Sequence, residues 1–216
     1  MTVGDQDEAI RFLSSPEAYG GGATNVDRVE TYISVVFLAG GRAFKLKRAV
    51  RFSYLDFSTP QLRRAACQAE VAINRRTAPD LYKGVVALTR RQDGGLELGG
   101  GGEAVDWLVE MARFDKSALL DRLARRGELN RRMVEDLADA IARFHQQAGE
   151  RPGEDGTTGL AATIDGNSER LADCAKGVLD PQKIARLTEQ SRRQLERRGP
   201  LLNARAREGR VRRCHG

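Results

Sequence analysis

The sequence predicts an α+β protein in which strands and helices occupy different parts of the chain. Two observations support this prediction. Segments rich in β-branched and other apolar residues, separated by glycine turns, concentrate between residues 26 and 114. After Phe114, apolar residues recur at helical spacing instead. Strands grouped before helices are typical of α+β folds, in which the sheet is mostly antiparallel.

The chain is expected to begin with a short helix, a loop and a three-stranded meander. The helix is predicted in DEAIRFLSSPEAY and ends before a run of glycines. The three strands are predicted in VDRVET, SVVFLAG and RAFKLKR, with a tight turn at Gly40 and Gly41. Since side chains alternate along a strand, Ala43, Lys45 and Lys47 share one face of the third strand.

A helix and a second group of strands follow the meander. The helix is predicted in STPQLRRAACQAEVAIN, where Ser58 or Thr59 can cap the start and Pro60 suits the first turn. Its expected apolar stripe consists of Leu62, Ala66, Ala69 and Ile73, and Pro79 is expected to mark the stop. Strands are then predicted in GVVALTRR, LELGG and EAVDWLVEMARF.

The second half of the chain is predicted to be helical. Helices are expected in SALLDRLARRGEL and RRMVEDLADAIARFHQQ, and again over about 161–179 and 181–207. The last of these is expected to be interrupted at Gly199-Pro200, because proline breaks helix interiors. The stripe of the second helix consists of Met133, Leu137, Ile141 and Phe144.

Composition argues against a membrane or disulfide-rich protein. No stretch approaches the roughly 18 apolar residues that cross a bilayer, and the N-terminus lacks the pattern of a secretory signal. The cysteines at 67, 174 and 214 are scattered and form no C-x-x-C, so a reducing cytoplasm is the expected location. Cys214 and His215 together with His145 match no structural zinc spacing.

Positive charge concentrates in the last part of the chain. The net charge is +6, and residues 181–216 carry eleven Lys and Arg against three Glu. Such a segment is able to attract nucleic acid. No aromatic residue interleaves the arginines to stack on bases, so a solvated helix face is the preferred interpretation and nucleic acid is not expected as a partner.

Lys45 is the first candidate for chemistry. An ammonium on a buried strand face needs an acidic partner, and Glu70 in ACQAEVAIN is the candidate on the following helix. In protein kinases such a pair directs the lysine at the α- and β-phosphates of the nucleotide, and Ala43-Phe44-Lys45 fits the A-x-K form of that strand. The alternative is an ordinary surface strand with two solvated lysines.

Two further segments occur in the order that a kinase would require. In WLVEMARFD a strand ends near Met111 and the chain continues into helices. In a two-lobed kinase this position is the linker, whose backbone groups hydrogen-bond the adenine. In VRRCHG the pair His215-Gly216 matches the start of the H-G-D-x-H-x-x-N form of the catalytic loop. The alternatives are a plain strand followed by a loop, and a chance dipeptide.

Together these segments resemble the aminoglycoside phosphotransferase-like branch of the protein-kinase-like fold. More closely, the chain is similar to bacterial predicted kinases in which such a domain precedes a P-loop ATPase domain. The resemblance extends over about residues 16–216 and implies three regions. These are an N-terminal helix and loop at 1–25, a kinase-like N-lobe at 26–111, and a partial helical C-lobe at 112–216 that ends at the start of the catalytic loop.

The resemblance implies an ATP site whose residues can be named in this sequence. Lys45 would hold the phosphates, Glu70 would orient Lys45, and Ala43 would lie over the adenine ring. The adenine linker would be formed by Val109, Glu110 and Met111. Val36, Ala43 and Val109 would line the wall of a cleft between the lobes. His215 would begin the catalytic loop.

The sequence departs from the family pattern at two places. The loop ETYIS lacks G-x-G-x-x-G, so phosphates there would meet backbone N–H groups and Thr31 or Ser34. The catalytic Asp and the Mg²⁺ ligands would lie beyond Gly216, and no Walker A sequence occurs. The chain is therefore expected to be truncated, to bind nucleotide weakly, to leave apolar helix faces uncovered, and to transfer no phosphate by itself.

The expected function of the complete protein is transfer of the ATP γ-phosphoryl group to a hydroxyl of a small molecule. Neither the acceptor nor an antibiotic substrate is indicated by the residues. The alternative is a non-catalytic kinase-like module that binds a nucleotide or a partner and regulates an attached ATPase.

Overall fold

The computed structural model describes residues 5–52, 54–151, 153–174 and 177–213. It is an α+β structure, as predicted. Its first elements are α1 (Asp7–Leu13), a 3₁₀ helix (Pro16–Tyr19), β1 (Val26–Glu30), β2 (Ser34–Ala39), β3 (Arg42–Lys47), β4 (Arg51–Phe52), β5 (Leu55–Asp56) and α2 (Pro60–Asn74). There follow β6 (Tyr82–Arg90), β7 (Leu96–Leu98), β8 (Glu103–Ala112), a 3₁₀ helix (Lys116–Ala118), α3 (Leu120–Arg125), α4 (Arg131–Gln147), α5 (Thr158–Cys174) and α6 (Pro181–Arg207). The chain divides into two compact units between Ala138 and Asp139, within α4.

The first unit is built on a six-stranded antiparallel sheet. Its strand order is β1-β2-β3-β8-β6-β7, so the meander β1–β3 is confirmed and β8 joins it to the β6–β7 hairpin. In the centre of the sheet, Lys45 lies directly opposite Val36 on β2 and Val109 on β8. The short hairpin β4–β5 was not predicted, since each strand has only two residues.

Helices cover both faces of this sheet. On one face, α1 and the first 3₁₀ helix pack on a core whose largest fully buried members are Phe37, Phe44, Leu13, Leu46, Leu88 and Leu108. The ring of Tyr19 lies 5.0 Å from that of Phe44. On the other face, Cys67 and Val71 of α2 pack against Val109. The side chain of Cys67 is fully buried there.

The start of α2 agrees with the sequence, but its buried face does not. Thr59 caps the helix by accepting a hydrogen bond from the Leu62 N–H, and Pro60 occupies the first turn. The helix ends at Asn74, well before Pro79. The predicted apolar stripe is wrong. The buried residues of the helix are Arg63, Cys67 and Val71, while Leu62 is 41% exposed. The reason is that a charged residue, Arg63, takes a core position on this helix.

The second unit is helical. Helices α5 and α6 pack together, and the guanidinium of Arg192 lies 2.6 Å from the carboxylate of Asp165. The predicted interruption of α6 is wrong, because the helix continues through Pro200. The residue before a proline is normally kept out of the helical region partly by its Cβ. Gly199 has no Cβ, which makes the helical conformation more accessible there.

The predicted apolar stripe of α4 is partly exposed. No residue of this helix within the described chain is buried; of the stripe, Leu137 and Ile141 are 40% and 45% exposed, and Met133 and Phe144 are half-buried. The expectation of uncovered apolar helix faces is therefore confirmed for α4. Among helices of the described residues, none combines the length and apolar character needed to cross a membrane.

Candidate functional site

A cavity of about 520 Å³ lies in the first unit against the sheet face that carries Lys45. Side chains from three adjacent strands share this face, since they lie opposite one another in the ladders. The lining residues are Val29, Thr31, Ile33, Ser34, Val36, Leu38, Ala43, Lys45, Met111, Ala112, Arg113, Phe114 and Lys116. Most of these side chains are apolar, so the cavity offers a largely nonpolar wall with one cationic group on β3.

Lys45 is held by a carboxylate on α2. Its ammonium lies 2.9 Å from Oε1 of Glu70, and the two side chains are 29% and 13% exposed. The predicted charge pair between strand and helix is thus confirmed, as is the placement of Lys45 on the inner face. Lys45 both lines the cavity and touches Glu70, so its ammonium is held in place at the cavity wall.

A second lysine binds the same carboxylate. The ammonium of Lys47 lies 2.6 Å from Oε2 of Glu70, and its side chain is only 8% exposed. The same ammonium lies 5.0 Å from the centre of the Phe57 ring, a favourable cation–π distance. Strand alternation predicts Lys47 on this face, but the sequence offered no partner for it. Each oxygen of Glu70 therefore receives one ammonium.

The charge state of Glu70 follows from these contacts. Burial raises the pKa of Glu70, whereas the hydrogen bonds and charges of Lys47 and Lys45 lower it. The lysines outweigh burial, and the pKa lies below its ordinary value. Glu70 is consequently ionised at neutral pH, and the three side chains together carry a net positive charge.

The three residues predicted as an adenine linker lie in different environments. Met111 lines the cavity, but Val109 is fully buried under α2, and Glu110 faces the other side of the sheet near Arg42. The interpretation of 109–111 as a linker is wrong, because β8 extends to Ala112 and these residues are paired with both β3 and β6. Their backbone groups are thereby used within the sheet.

The chain leaves the sheet just after β8. The Arg113 N–H still donates to the Gly41 carbonyl at 2.8 Å, which anchors the exit to the β2–β3 turn. The following Phe114 is 52% exposed and lines the cavity, as does Lys116. The segment that borders the cavity at this edge therefore lies a few residues later than the sequence indicated.

The loop between β1 and β2 closes as a tight turn beside the cavity. Thr31 N–H donates to the Ser34 carbonyl at 2.8 Å, and Ser34 N–H donates to Thr31 Oγ1 at 3.0 Å. Both residues line the cavity. At the tip of the turn the side chain of Tyr32 is 92% exposed. Thr31 and Ser34 thus border the cavity, with the Thr31 hydroxyl and both backbone N–H groups already hydrogen-bonded within the turn.

A buried polar cluster beside α2 was missed by sequence reasoning. Arg63 donates to both oxygens of Asp106, from Nε at 2.7 Å and from Nη2 at 2.9 Å. Gln6 donates to the same carboxylate at 2.7 Å and to the Lys47 carbonyl at 3.0 Å. The available signal was the i, i+4, i+8 spacing of Arg63, Cys67 and Val71, but charged residues are almost never fully buried unless they are paired.

Two other groups singled out in the sequence, His215 and Cys214, lie outside the described residues. Within the residues that are described, no group of three or more His, Cys, Asp or Glu side chains is arranged to hold a metal ion. Burial raises the pKa of Cys67 to about 12, although Lys47 opposes the shift, so its thiol is not poised as a nucleophile.

Curated proteins similar to this chain include uncharacterized proteins of Mycobacterium bovis and Mycobacterium tuberculosis. Each is 35% identical over 123 residues, a match that covers 57% of this chain and 23% of the relative. The chain thus spans about a quarter of the length of these relatives. No protein-family model matches it. No solved structure matches it either. Because the relatives are themselves uncharacterized, no activity is carried over from them.

Proposed function

We propose that the cavity binds ATP, and that residues 26–111 with the segment after them act as the nucleotide-binding lobe of a phosphotransferase-like kinase. The observation that carries the proposal is the position of Lys45. It lines an apolar cavity, and its ammonium is held 2.9 Å from a carboxylate on the adjacent helix α2. A strand lysine paired with a helix glutamate positions nucleotide phosphates in protein kinases.

The walls of the cavity suit a purine. Val36, Leu38, Ala43 and Met111 present apolar side chains on one sheet face, and the small Ala43 leaves room for a flat ring. A volume of about 520 Å³ lies within the range of about 300–1,000 Å³ that is usual for small-molecule sites. Phe114, past the end of the β8 ladder, would offer backbone groups to the base edge.

The charge of the cavity suits phosphates. Lys45, Arg113 and Lys116 line it, and none of its described lining residues is acidic. A concave surface lined by one sign of charge raises the local concentration of oppositely charged ligands. In this proposal Glu70 holds the Lys45 side chain at the cavity wall before a ligand binds, and Lys45 then contacts the phosphates.

The reaction of the whole protein belongs to the same proposal. Bound ATP would supply the γ-phosphoryl group, and a hydroxyl of a small molecule would accept it. The described residues offer no cluster that fits Mg²⁺, so no step is assigned to a metal held by them. A P-loop ATPase domain is the proposed partner in longer proteins of this kind.

Calorimetric titration of the chain with ATP tests this proposal. We expect saturable one-to-one binding, and we expect Lys45→Met to weaken it at least about tenfold, because a charge-assisted contact to phosphate is lost. Lys83→Met is the matched control, since Lys83 is an exposed β6 residue that does not line the cavity. Absence of ATP binding by the unmodified chain, or equal losses in the two variants, would overturn the proposal.

A further inference from the structure

Two lysines of β3 converge on one glutamate. Lys45 and Lys47 are two positions apart, so their side chains leave the strand on the same face. Lys45 contacts Oε1 of Glu70 at 2.9 Å, and Lys47 contacts Oε2 at 2.6 Å. A single lysine would suffice to neutralise the carboxylate, so the second ammonium leaves the group with a net charge of +1.

The two lysines have different surroundings. Lys45 is 29% exposed and lines the cavity, so a ligand there can reach its ammonium. Lys47 is 8% exposed, is absent from the cavity lining, and lies over the Phe57 ring. Only Lys45 is therefore available to a ligand, and Lys47 is committed to Glu70.

We propose that Lys47 is a positioning residue that neutralises Glu70 and so leaves the charge of Lys45 free to bind the phosphates of a nucleotide. This inference rests on the proposed function of the cavity, and it deepens that function by adding a residue that never touches the ligand. Lys47 would therefore affect the binding affinity for the polyphosphate part of the ligand.

The physical reason is the cost of an unpaired buried charge. Glu70 is only 13% exposed, so a phosphate that drew Lys45 away would leave an isolated carboxylate if Lys45 were its sole partner. With Lys47 in place, Glu70 keeps an ammonium at 2.6 Å while Lys45 turns to the ligand. Lys47 thereby lowers the cost of transferring Lys45 from carboxylate to phosphate.

The test compares ATP with adenosine, which fills the base part of the cavity but has no phosphate. Both are titrated calorimetrically into the unmodified chain, Lys47→Met, and the double variant Lys47→Met/Glu70→Gln. The double variant restores the net charge of +1 without Lys47. A glutamine at position 70 still has a carbonyl oxygen that accepts a hydrogen bond from Lys45.

We expect Lys47→Met to weaken ATP at least about tenfold and to change adenosine less than about twofold. We expect the double variant to return ATP affinity to within about threefold of the unmodified chain. Unchanged ATP affinity in Lys47→Met, equal loss of ATP and adenosine, or a double variant no better than Lys47→Met would overturn the inference. The last two results are those expected if Lys47 only packs against Phe57 and α2.

The design separates this inference from the proposed function. If the unmodified chain binds neither ligand, the proposed nucleotide site is overturned, and the inference about Lys47 is overturned with it. If the unmodified chain binds ATP and Lys45→Met weakens it, the site stands and the Lys47 variants decide the inference alone. Should Lys47→Met not fold, the double variant has no unpaired carboxylate, and its loss of ATP binding with adenosine retained would still overturn the inference.

Discussion

Arg63 on α2 donates hydrogen bonds to both oxygens of the Asp106 carboxylate on β8, and neither side chain is more than 5% exposed. Arg63 also donates to the Phe57 carbonyl at 2.9 Å, and Gln6 supplies another donor to Asp106. The pair joins the helix to the central strand through contacts that water does not reach. Because α2 also carries Glu70, the same pair holds the Glu70 carboxylate in place beside β3.

We expect Arg63→Met to cost about 3–5 kcal/mol of unfolding free energy, because it leaves Asp106 buried without its cationic partner. Urea denaturation measures this loss. The neighbouring Arg64→Met is the control, since Arg64 is exposed and lies over the Trp107 ring at 4.4 Å, a contact worth about 0.5–1 kcal/mol at exposed sites. Similar losses in the two variants would contradict a structural role for the buried pair.

Glu70 should make stability depend on pH in the acid range. Its pKa is lower in the folded chain than in the unfolded chain, so it stabilises the fold above the unfolded pKa of about 4.3 and loses this contribution as pH falls through its folded pKa. We expect Glu70→Gln to be less stable than the unmodified chain at pH 7, with the difference shrinking toward pH 3. Unfolding free energies across this range measure it, and a constant difference would contradict the prediction.

The thiol of Cys67 should be inert in the folded chain. It is fully buried, burial raises its pKa to about 12, and almost none of it is thiolate at neutral pH. In a chain carrying Cys174→Ser and Cys214→Ser, we expect Cys67 to react with Ellman's reagent many-fold more slowly in buffer than in denaturant. Rapid labelling under native conditions would show that α2 does not stay packed on the sheet.

The turn between β2 and β3 provides a matched pair of glycines. Gly40 has φ of 55°, and a Cβ there would lie 2.5 Å from the Gly22 carbonyl oxygen. Gly41 lacks a left-handed φ, and a Cβ there meets nothing within 4 Å. We expect Gly40→Ala to cost at least about 1–2 kcal/mol and Gly41→Ala to stay within about 0.5 kcal/mol. Thermal and urea denaturation measure both, and the reverse order would contradict the turn geometry.

The part of the site that could be predicted from the sequence depends on a rule with few exceptions. A lysine on a buried strand face must find an acid, and Glu70 on the next helix was the candidate, so the Lys45–Glu70 contact was predicted correctly. The rule does not indicate how many lysines will share one carboxylate. Nothing in RAFKLKR shows that Lys47 would share the same carboxylate. Strand alternation gives the sheet face on which a side chain lies, but not the position of the ammonium at the end of that side chain.

The parts that could not be predicted involve charges in the core and the ends of elements. The apolar pattern of α2 favoured Leu62 over Arg63, because a burial pattern read from hydrophobicity excludes an arginine that is buried by virtue of its ion pair. The adenine linker was placed at residues 109–111, inside β8, because the pairing of these residues with β3 and β6, which are distant in sequence, is not visible in the local pattern. Pro200 was read as a helix break because the preference of proline was weighed without the preceding Gly199, whose missing Cβ makes the helical conformation more accessible.

The position of β8 also determines how a growing chain can fold. Of the six strands of this sheet it is the last in the chain, yet it lies in the middle, between β3 and β6. Until residues 103–112 leave the ribosome, β3 and β6 each lack a partner strand on one side, and the β1–β3 meander and the β6–β7 hairpin remain separate with open edges. We therefore expect nascent chains that stop before β8 to be readily digested by protease and to be held by chaperones, and chains that include β8 to become resistant in a single step.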